Sequence, residues 1–144
     1  MKSIRYFPIL VLLLAPVSHA EQAAFPTEHP KNLKAAQAQG LHRLTAEELK
    51  AFIPGTMEAL RSNDGKTKLK MFKPDGVFEV RSFKNKKGTW RIDTNANTWC
   101  RTIEKKRVDV EQCYATFRAP DGVHYFDIDV GDGFYASVWR PKTK

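Results

Sequence analysis

The feature that most constrains the fold is the stretch from Gly88 to Cys113, which holds both cysteines of the chain. Three strand-like segments follow one another here, with Trp90 in the first, Cys100 in the second and Cys113 in the third. Two cysteines allow a single intramolecular pairing, and a pair of this kind in an exported chain favours a disulfide. We therefore predict three consecutive antiparallel strands joined by a Cys100–Cys113 bridge.

The Cys100–Cys113 pairing sets the register between the two strands that carry these residues. If Cys100 faces Cys113, then Trp99 faces Tyr114 on the opposite face of the same hairpin. An aromatic cross-strand pair stabilises a register, so the aromatic pair and the disulfide favour the same alignment. The bridge closes a loop of about 14 residues, which stabilises the fold by roughly 3 kcal/mol in the chain-entropy account.

The N-terminal segment has the three parts of a secretory signal. Lys2 and Arg5 are followed by an apolar run, Pro8–Val17, that is too short to span a bilayer. Ser18 and Ala20 supply the small residues that precede a cleavage site. We expect residues 1–20 to be a signal peptide that is removed after Ala20, and the protein to be periplasmic.

The rest of the chain predicts a flexible linker and one domain. The linker spans residues 21–43, is rich in Ala and Gln, contains Pro26 and Pro30, and has at most a helical turn around Lys34–Gln39. The domain spans residues 44–144, a length suited to a single hydrophobic core.

The chain is basic, with a formal net charge of +8. The excess lies in short runs at separate places, namely Lys84–Lys87, Lys105–Arg107 and Pro141–Lys144. Such runs are typical of solvated hairpin tips and a tail, so we expect no nucleic-acid partner. After the signal, no apolar run is long enough to predict a membrane span.

A short amphipathic helix is predicted from Leu44 to Ile53. Thr45 is a good N-cap, and Glu48 three residues later completes a capping-box pattern. The spacing of Leu49, Phe52 and Ile53 places them on one face, which needs a partner surface to be stable. Pro54 and the glycine after it end the helix.

Eight short strands follow, separated by tight turns. We expect them at Thr56–Arg61, Thr67–Phe72, Val77–Phe83, Gly88–Ile92, Thr98–Ile103, Val110–Arg118, Val123–Val130 and Phe134–Arg140. Closure of such a meander removes its exposed edges. The predicted fold class is therefore mainly β: an eight-stranded antiparallel meander that closes into a small lipocalin-like barrel, preceded by one short helix.

Alternation within these strands predicts which side chains point into the barrel. The expected core is Leu69, Met71, Phe78, Val80, Trp90, Ile92, Ala115, Phe117, Phe126 and Ile128. An eight-stranded barrel is either filled by its side chains or holds one small ligand. If it is hollow, the expected ligand-lining residues are Phe78, Trp90, Phe117, His124 and Phe126. Asp127 and Asp129 would then form an acidic outer face.

Several motifs, taken in order, resemble one family. They are Leu44-Thr45-Ala46-Glu47-Glu48-Leu49, Pro54-Gly55-Thr56, Pro74-Asp75-Gly76, Gly88-Thr89-Trp90, Trp99-Cys100, Cys113 and Asp121-Gly122. Between Leu44 and Trp139 the chain resembles the small exported bacterial proteins of the domain of unknown function 995 family and its relatives. The resemblance implies a bacterial periplasmic setting and supplies no catalytic residue.

The sequence predicts no catalytic, cofactor or metal site. Asp93, Asn95, Asn97 and Glu104 have the spacing of a calcium loop, but Thr98 stands where the turn needs Gly. His124 has no nucleophile motif to act on, so a structural or pocket-lining histidine is expected. We therefore expect that the protein is not an enzyme.

Two functions remain open at this stage. The first is a periplasmic barrel that binds a small apolar or amphipathic ligand. The second is a protein-binding module, such as an inhibitor of an exported protease, an analogy of architecture alone. The partner would accordingly be a small apolar ligand or a periplasmic protein.

Overall fold

The computed structural model describes residues 24–82, 85–105 and 107–141. The predicted signal peptide at 1–20 lies outside these residues, as do Lys84, Lys106 and the basic tail at 142–144. The helices are α1 (Leu33–Ala38) and α2 (Ala46–Phe52). The strands are β1 (His42–Arg43), β2 (Met57–Ser62), β3 (Thr67–Phe72), β4 (Val77–Arg81), β5 (Lys86–Asp93), β6 (Thr98–Lys105), β7 (Val108–Arg118), β8 (Tyr125–Asp129) and β9 (Tyr135–Pro141).

Eight of the strands form a closed antiparallel barrel. Each strand from β2 to β9 pairs with the next one along the chain, and β9 returns to pair with β2, where Leu60 lies opposite Trp139. The additional short strand β1 pairs antiparallel with the C-terminal end of β7, where His42 lies opposite Arg118. The predicted mainly β meander barrel is confirmed, and its closure leaves no long unpaired edge.

The hairpin of β6 and β7 has the predicted register. Cys100 lies opposite Cys113, and the two form a disulfide. Trp99 lies opposite Tyr114, and their rings stack with centroids 4.6 Å apart and planes 26° apart. The disulfide and the aromatic pair therefore occupy the two faces of one hairpin, with the aromatic rings inside the barrel.

Helix α2 closes one end of the barrel. Its capping box is present, since Glu48 N donates to Thr45 Oγ1 and Thr45 N donates to Glu48 Oε2, at 3.3 and 2.8 Å. Leu49 and Ile53 are fully buried and pack with Phe72 in the interior cluster. Because the apolar face of the helix covers this end, any opening must lie at the other one.

From residue 31 onward the segment before α2 is hydrogen-bonded to the barrel, and α1 lies where a helical turn was expected around Lys34–Gln39. Asn32 caps α1 by accepting a hydrogen bond from Ala35 N. Leu33 N donates to Gly133 O, and Tyr135 N donates to Lys31 O, so the chain is bonded to the β8–β9 turn. We name residues 25–41 the N-terminal arm, because they lie along the outside of the barrel. Neither α1 nor α2 is long and apolar enough to cross a membrane, and they are the helices of the described part.

The arm reverses the predicted facing of β7 and β8. Ala115, Phe117, Phe126 and Ile128 were expected inside the barrel, but they form a second cluster on its outer surface with Ala36 of α1. Asp127 was expected outside and instead points into the barrel. The reason is that the arm buries the outer surface here, so apolar residues are required on that face as well.

The facing of β3 is also the reverse of the prediction. Lys70 and Phe72 are buried inside the barrel, whereas Leu69 and Met71 are half-buried on the outer face. Lys68 and Lys70 alternate with Leu69 and Met71 along β3. The strand ends on Phe72, which lies on the same face as the two lysines, so both faces carry apolar side chains. Phe72 contacts Phe78 and Trp99, with ring centroids 5.3 and 5.0 Å away, and this aromatic cluster fixes the inward face.

The double substitution Cys100→Ser with Cys113→Ser should destabilise the protein by roughly 2–4 kcal/mol. It should nevertheless leave the barrel folded, because the stacked Trp99 and Tyr114 rings hold the same register. Urea unfolding monitored by circular dichroism measures the change, with the disulfide-reduced wild type as the matched comparison. A variant without sheet signal in the absence of urea would mean that the bridge, and not the core, specifies the fold.

Candidate functional site

A cavity of about 340 Å³ opens at the end of the barrel opposite α2. Its rim includes Asn63 in the β2–β3 turn and Phe134 after the β8–β9 turn. Its wall carries both aromatic and charged side chains, among them Lys68, Lys70, Trp99, Arg101, Gln112, Tyr114, Asp127, Asp129 and Tyr135. The interior is therefore hollow at one end, and its lining is mainly polar.

A buried ion cluster forms the floor of this cavity. The ammonium of Lys70 lies 3.1 Å from Glu58 Oε2, without hydrogen-bond geometry, and 3.2 Å from Asp127 Oδ2. The three side chains are at most 2 % exposed. The same ammonium lies 4.6 to 5.0 Å from the ring centroids of Phe72, Trp99 and Trp139. Two carboxylates and three aromatic faces thus compensate one buried cation.

Asp127 connects the floor to several strands. Its Oδ1 accepts hydrogen bonds from Thr116 Oγ1 at 2.8 Å and Trp99 Nε1 at 3.2 Å. Its Oδ2 accepts from Ser137 Oγ and Lys70 Nζ, both at 3.2 Å. A carboxylate has about four lone-pair sites, and four donors occupy them. Asp127 is therefore a structural node, and it has no free lone pair with which to act as a general base.

Glu58 is the second carboxylate of the cluster and has fewer partners. Burial raises its pKa to about 7, against the opposing effect of Lys70 and with a further raising effect from Asp127. Thr56 Oγ1 donates to its Oε1 at 3.2 Å. The floor therefore gains or loses one proton close to neutral pH.

One wall of the cavity is organised around Arg101. Its Nη2 donates to Gln112 Oε1 at 3.0 Å, and Tyr114 O–H donates to the same oxygen at 3.3 Å. Gln112 Nε2 in turn donates to Asp129 Oδ2 at 3.5 Å. The guanidinium carbon lies 5.2 and 5.6 Å from the ring centroids of Tyr114 and Phe78. Burial raises the pKa of Tyr114 to about 12, so its hydroxyl remains a donor.

The opposite wall carries Lys68, which already has partners. Its ammonium donates to Ser62 Oγ at 3.3 Å and lies 3.9 Å from Asp64 Oδ2. Lys86 adds an exposed cation at the rim. Both walls of the cavity thus carry cations, and these cations differ in how close a carboxylate lies to each.

The five residues predicted to line a ligand cavity do not line this one. Phe78 and Trp90 belong to the apolar interior below it. Phe117 and Phe126 lie in the outer cluster under the N-terminal arm. His124 is fully buried in the turn before β8, where its Nδ1 lies 2.6 Å from Asp121 Oδ2 and its ring 5.4 Å from that of Phe25.

The predicted turn residues have structural roles. Asp93 Oδ1 accepts from the backbone N–H groups of Asn95 and Ala96, as an ordinary turn residue does. Asn97 adopts a φ of 50° and accepts a hydrogen bond from Ala46 N, which ties the turn to α2. Within the described residues, the group with metal-ligand proximity is Cys100, Glu111 and Cys113, and both cysteines are in the disulfide.

Sequence reasoning missed the charged interior, although the sequence contains a signal for it. Lys68 and Lys70 are two residues apart on one strand, and Asp127 and Asp129 are two residues apart on another. Each pair occupies one face of its strand, and the two pairs have opposite charge. Alternation alone predicts that a charged pair opposite an apolar face lies in solvent. For Asp127 and Asp129 the covering of the other face by the N-terminal arm reverses this prediction.

Fold and site together define a small antiparallel β-barrel, closed by a helix at one end, with a polar internal cavity at the other. A scan against protein-family models, a search of curated proteins and a search of solved structures each found no match. The resemblance to the domain of unknown function 995 family therefore stays a prediction.

The raised pKa of Glu58 makes stability depend on pH in a defined direction. The folded state holds this proton up to about pH 7, whereas the unfolded chain releases it near its ordinary value of 4.5. Stability from this group is therefore present below pH 4.5 and is lost as pH rises to 7, by on the order of 3 kcal/mol. The difference in unfolding free energy between wild type and Glu58→Gln should fall over this range and level off above it.

Unfolding by guanidinium chloride at a series of pH values measures this difference in unfolding free energy. Glu111→Gln is the matched control, because that exposed carboxylate pairs with Arg91 in solvent. If the difference in unfolding free energy between wild type and Glu58→Gln rises with pH, or has the same pH dependence as for Glu111→Gln, the buried Glu58 is not protonated in the folded protein.

Proposed function

We propose that the protein is a non-enzymatic binding protein that holds one small amphipathic ligand in the open end of its barrel. The observation that carries this proposal is the cavity of about 340 Å³ with a mixed wall of aromatic rings and charged groups. Ligand sites are concave and range from about 300 to 1,000 Å³. This cavity lies at the low end of that range, which favours a small ligand.

The composition of the wall selects the amphipathic ligand over the purely apolar one. Trp99 and Tyr114 offer apolar surface, while Arg101 and Lys68 offer hydrogen-bond donors. A purely apolar occupant would remove water from these donors without replacing its hydrogen bonds, and burial of unpaired polar groups is costly. A ligand with one polar end avoids this cost.

The non-enzymatic part of the proposal is supported by the state of the candidate acid–base groups. The four donors on Asp127 leave it no lone pair for a substrate proton. His124 is buried beside Asp121 and is not among the residues that line the cavity. Among the described residues that line the cavity there is no histidine or cysteine to act as a nucleophile or general base.

The alternative, a protein-binding module, has weaker support. The exposed large apolar residues of the described chain are Met57, Val108, Val123, Val130 and Phe134. They are spread over β2, the start of β7 and the loops on either side of β8, and apolar residues exposed singly are ordinary on protein surfaces. The cavity is the more specific feature, so we favour the small ligand.

Ligand binding can be tested with two fluorescent probes of similar shape, anilinonaphthalene sulfonate and the neutral phenylnaphthylamine. At least one should bind with one-to-one stoichiometry. Ala136→Trp should abolish the binding by filling the cavity that Ala136 lines, and Ala51→Trp, on the exposed side of α2, should not. Circular dichroism confirms that both variants are folded. If neither probe binds, or if Ala136→Trp leaves the binding unchanged, the proposed site is wrong.

We also propose that the protein is exported and works in the periplasm. The disulfide supports this, because such bonds persist in oxidising compartments. Intact-mass spectrometry of protein recovered from the periplasm of an expressing bacterium should show a chain that begins at Glu21. A full-length chain, or recovery in the cytoplasm alone, would contradict export through residues 1–20.

A further inference from the structure

Arg101 is a cation of the cavity with no carboxylate within ion-pair distance among the described side chains. Arg101 forms none of the ion pairs found among the side chains that the structure describes. Its Nε is buried and has no hydrogen-bond partner. By contrast, Lys70 faces two carboxylates, and Lys68 lies near Asp64.

Binding of an anion beside the Arg101 guanidinium would lower the free energy of this group. A partly buried guanidinium loses part of its hydration, and a missing hydrogen bond on a buried donor adds a further cost. Two aromatic rings compensate Arg101 in part, as does the carbonyl oxygen of Gln112. These contacts fix where the guanidinium lies, but they bring no negative charge to it.

The neighbours of Arg101 also prepare it for a directed contact. Gln112 accepts from both Arg101 and Tyr114 and donates to Asp129, so its side chain is held in one orientation. The guanidinium is planar and presents its donors as a fork that matches a carboxylate. The aromatic rings of Trp99 and Tyr114 belong to the interior cluster and line the same cavity, where they can receive the apolar body of a ligand.

We infer that the ligand of this barrel is a small organic acid with an aromatic or other apolar body, and that Arg101 binds its carboxylate. This inference rests on the proposed function and narrows it to one ligand class. Arg101 is then the residue that determines specificity, and Gln112 positions it.

The test uses naphthoate and naphthamide, which share one shape and differ in the charge of the planar group. Isothermal titration calorimetry at fixed pH should show naphthoate bound more tightly than naphthamide by the wild type. Arg101→Met should weaken naphthoate binding roughly 10-fold to 100-fold, the range for hydrogen bonds to charged groups, and leave naphthamide unchanged. Arg91→Met is the matched control: Arg91 is an exposed arginine that pairs with Glu111 and does not line the cavity, so this variant should change naphthoate binding by less than about 3-fold.

The outcomes separate the inference from the proposed function. If both compounds bind equally and Ala136→Trp abolishes both, the barrel binds ligands and the assignment of Arg101 to an anion is overturned. An equal loss of both compounds in Arg101→Met would overturn it too, because that pattern reports a structural role. If neither compound binds while the neutral probe does, the ligand class is wrong. If nothing binds, the proposed function itself fails.

Discussion

A single buried ammonium is the constraint on which the barrel depends. Lys70 lies between Glu58 and Asp127, and Asp127 gathers further donors from β6, β7 and β9. The cluster thereby joins six of the eight strands through side chains, in addition to their backbone ladders. Removal of one member of a buried ion pair leaves a charge without compensation and typically costs about 3–5 kcal/mol. The same cluster lies between the apolar core near α2 and the polar cavity at the other end of the barrel.

The N-terminal arm has an equally direct effect on the choice of core residues. It packs Ala36 against Phe117, Phe126 and Ile128 on the outside of the barrel. Antiparallel sheets commonly leave one face in solvent. These strands instead bury both faces. As a result, the apolar residues of β8 face the arm and its aspartates face the cavity.

Local chemistry explains which parts could be predicted from the sequence. The Thr45 and Glu48 capping box, the Cys100–Cys113 register and the strand order depend on residues that are near one another in the chain, and the structure confirms them. The facing of β8 depends on what covers the barrel from outside, and that of β3 depends on the aromatic cluster inside it. Alternation within one strand contains no information on either. The candidate site was missed for the same reason, because Asp127 and Asp129 were expected on the outer face and Arg101 had no predicted role.

The position of the first and last described segments has a practical consequence. The ring of Phe25 lies 5.2 Å from the guanidinium of Arg140, so these two segments are side by side. Arg140 follows Trp139, which stacks near Phe52 of the closing helix, so both segments lie at the end of the barrel that α2 closes. A tag, a fusion partner or a sensor surface attached directly before residue 24 or after residue 141 would leave the open end of the cavity facing solution. Immobilised protein should consequently report binding without a correction for a blocked entrance.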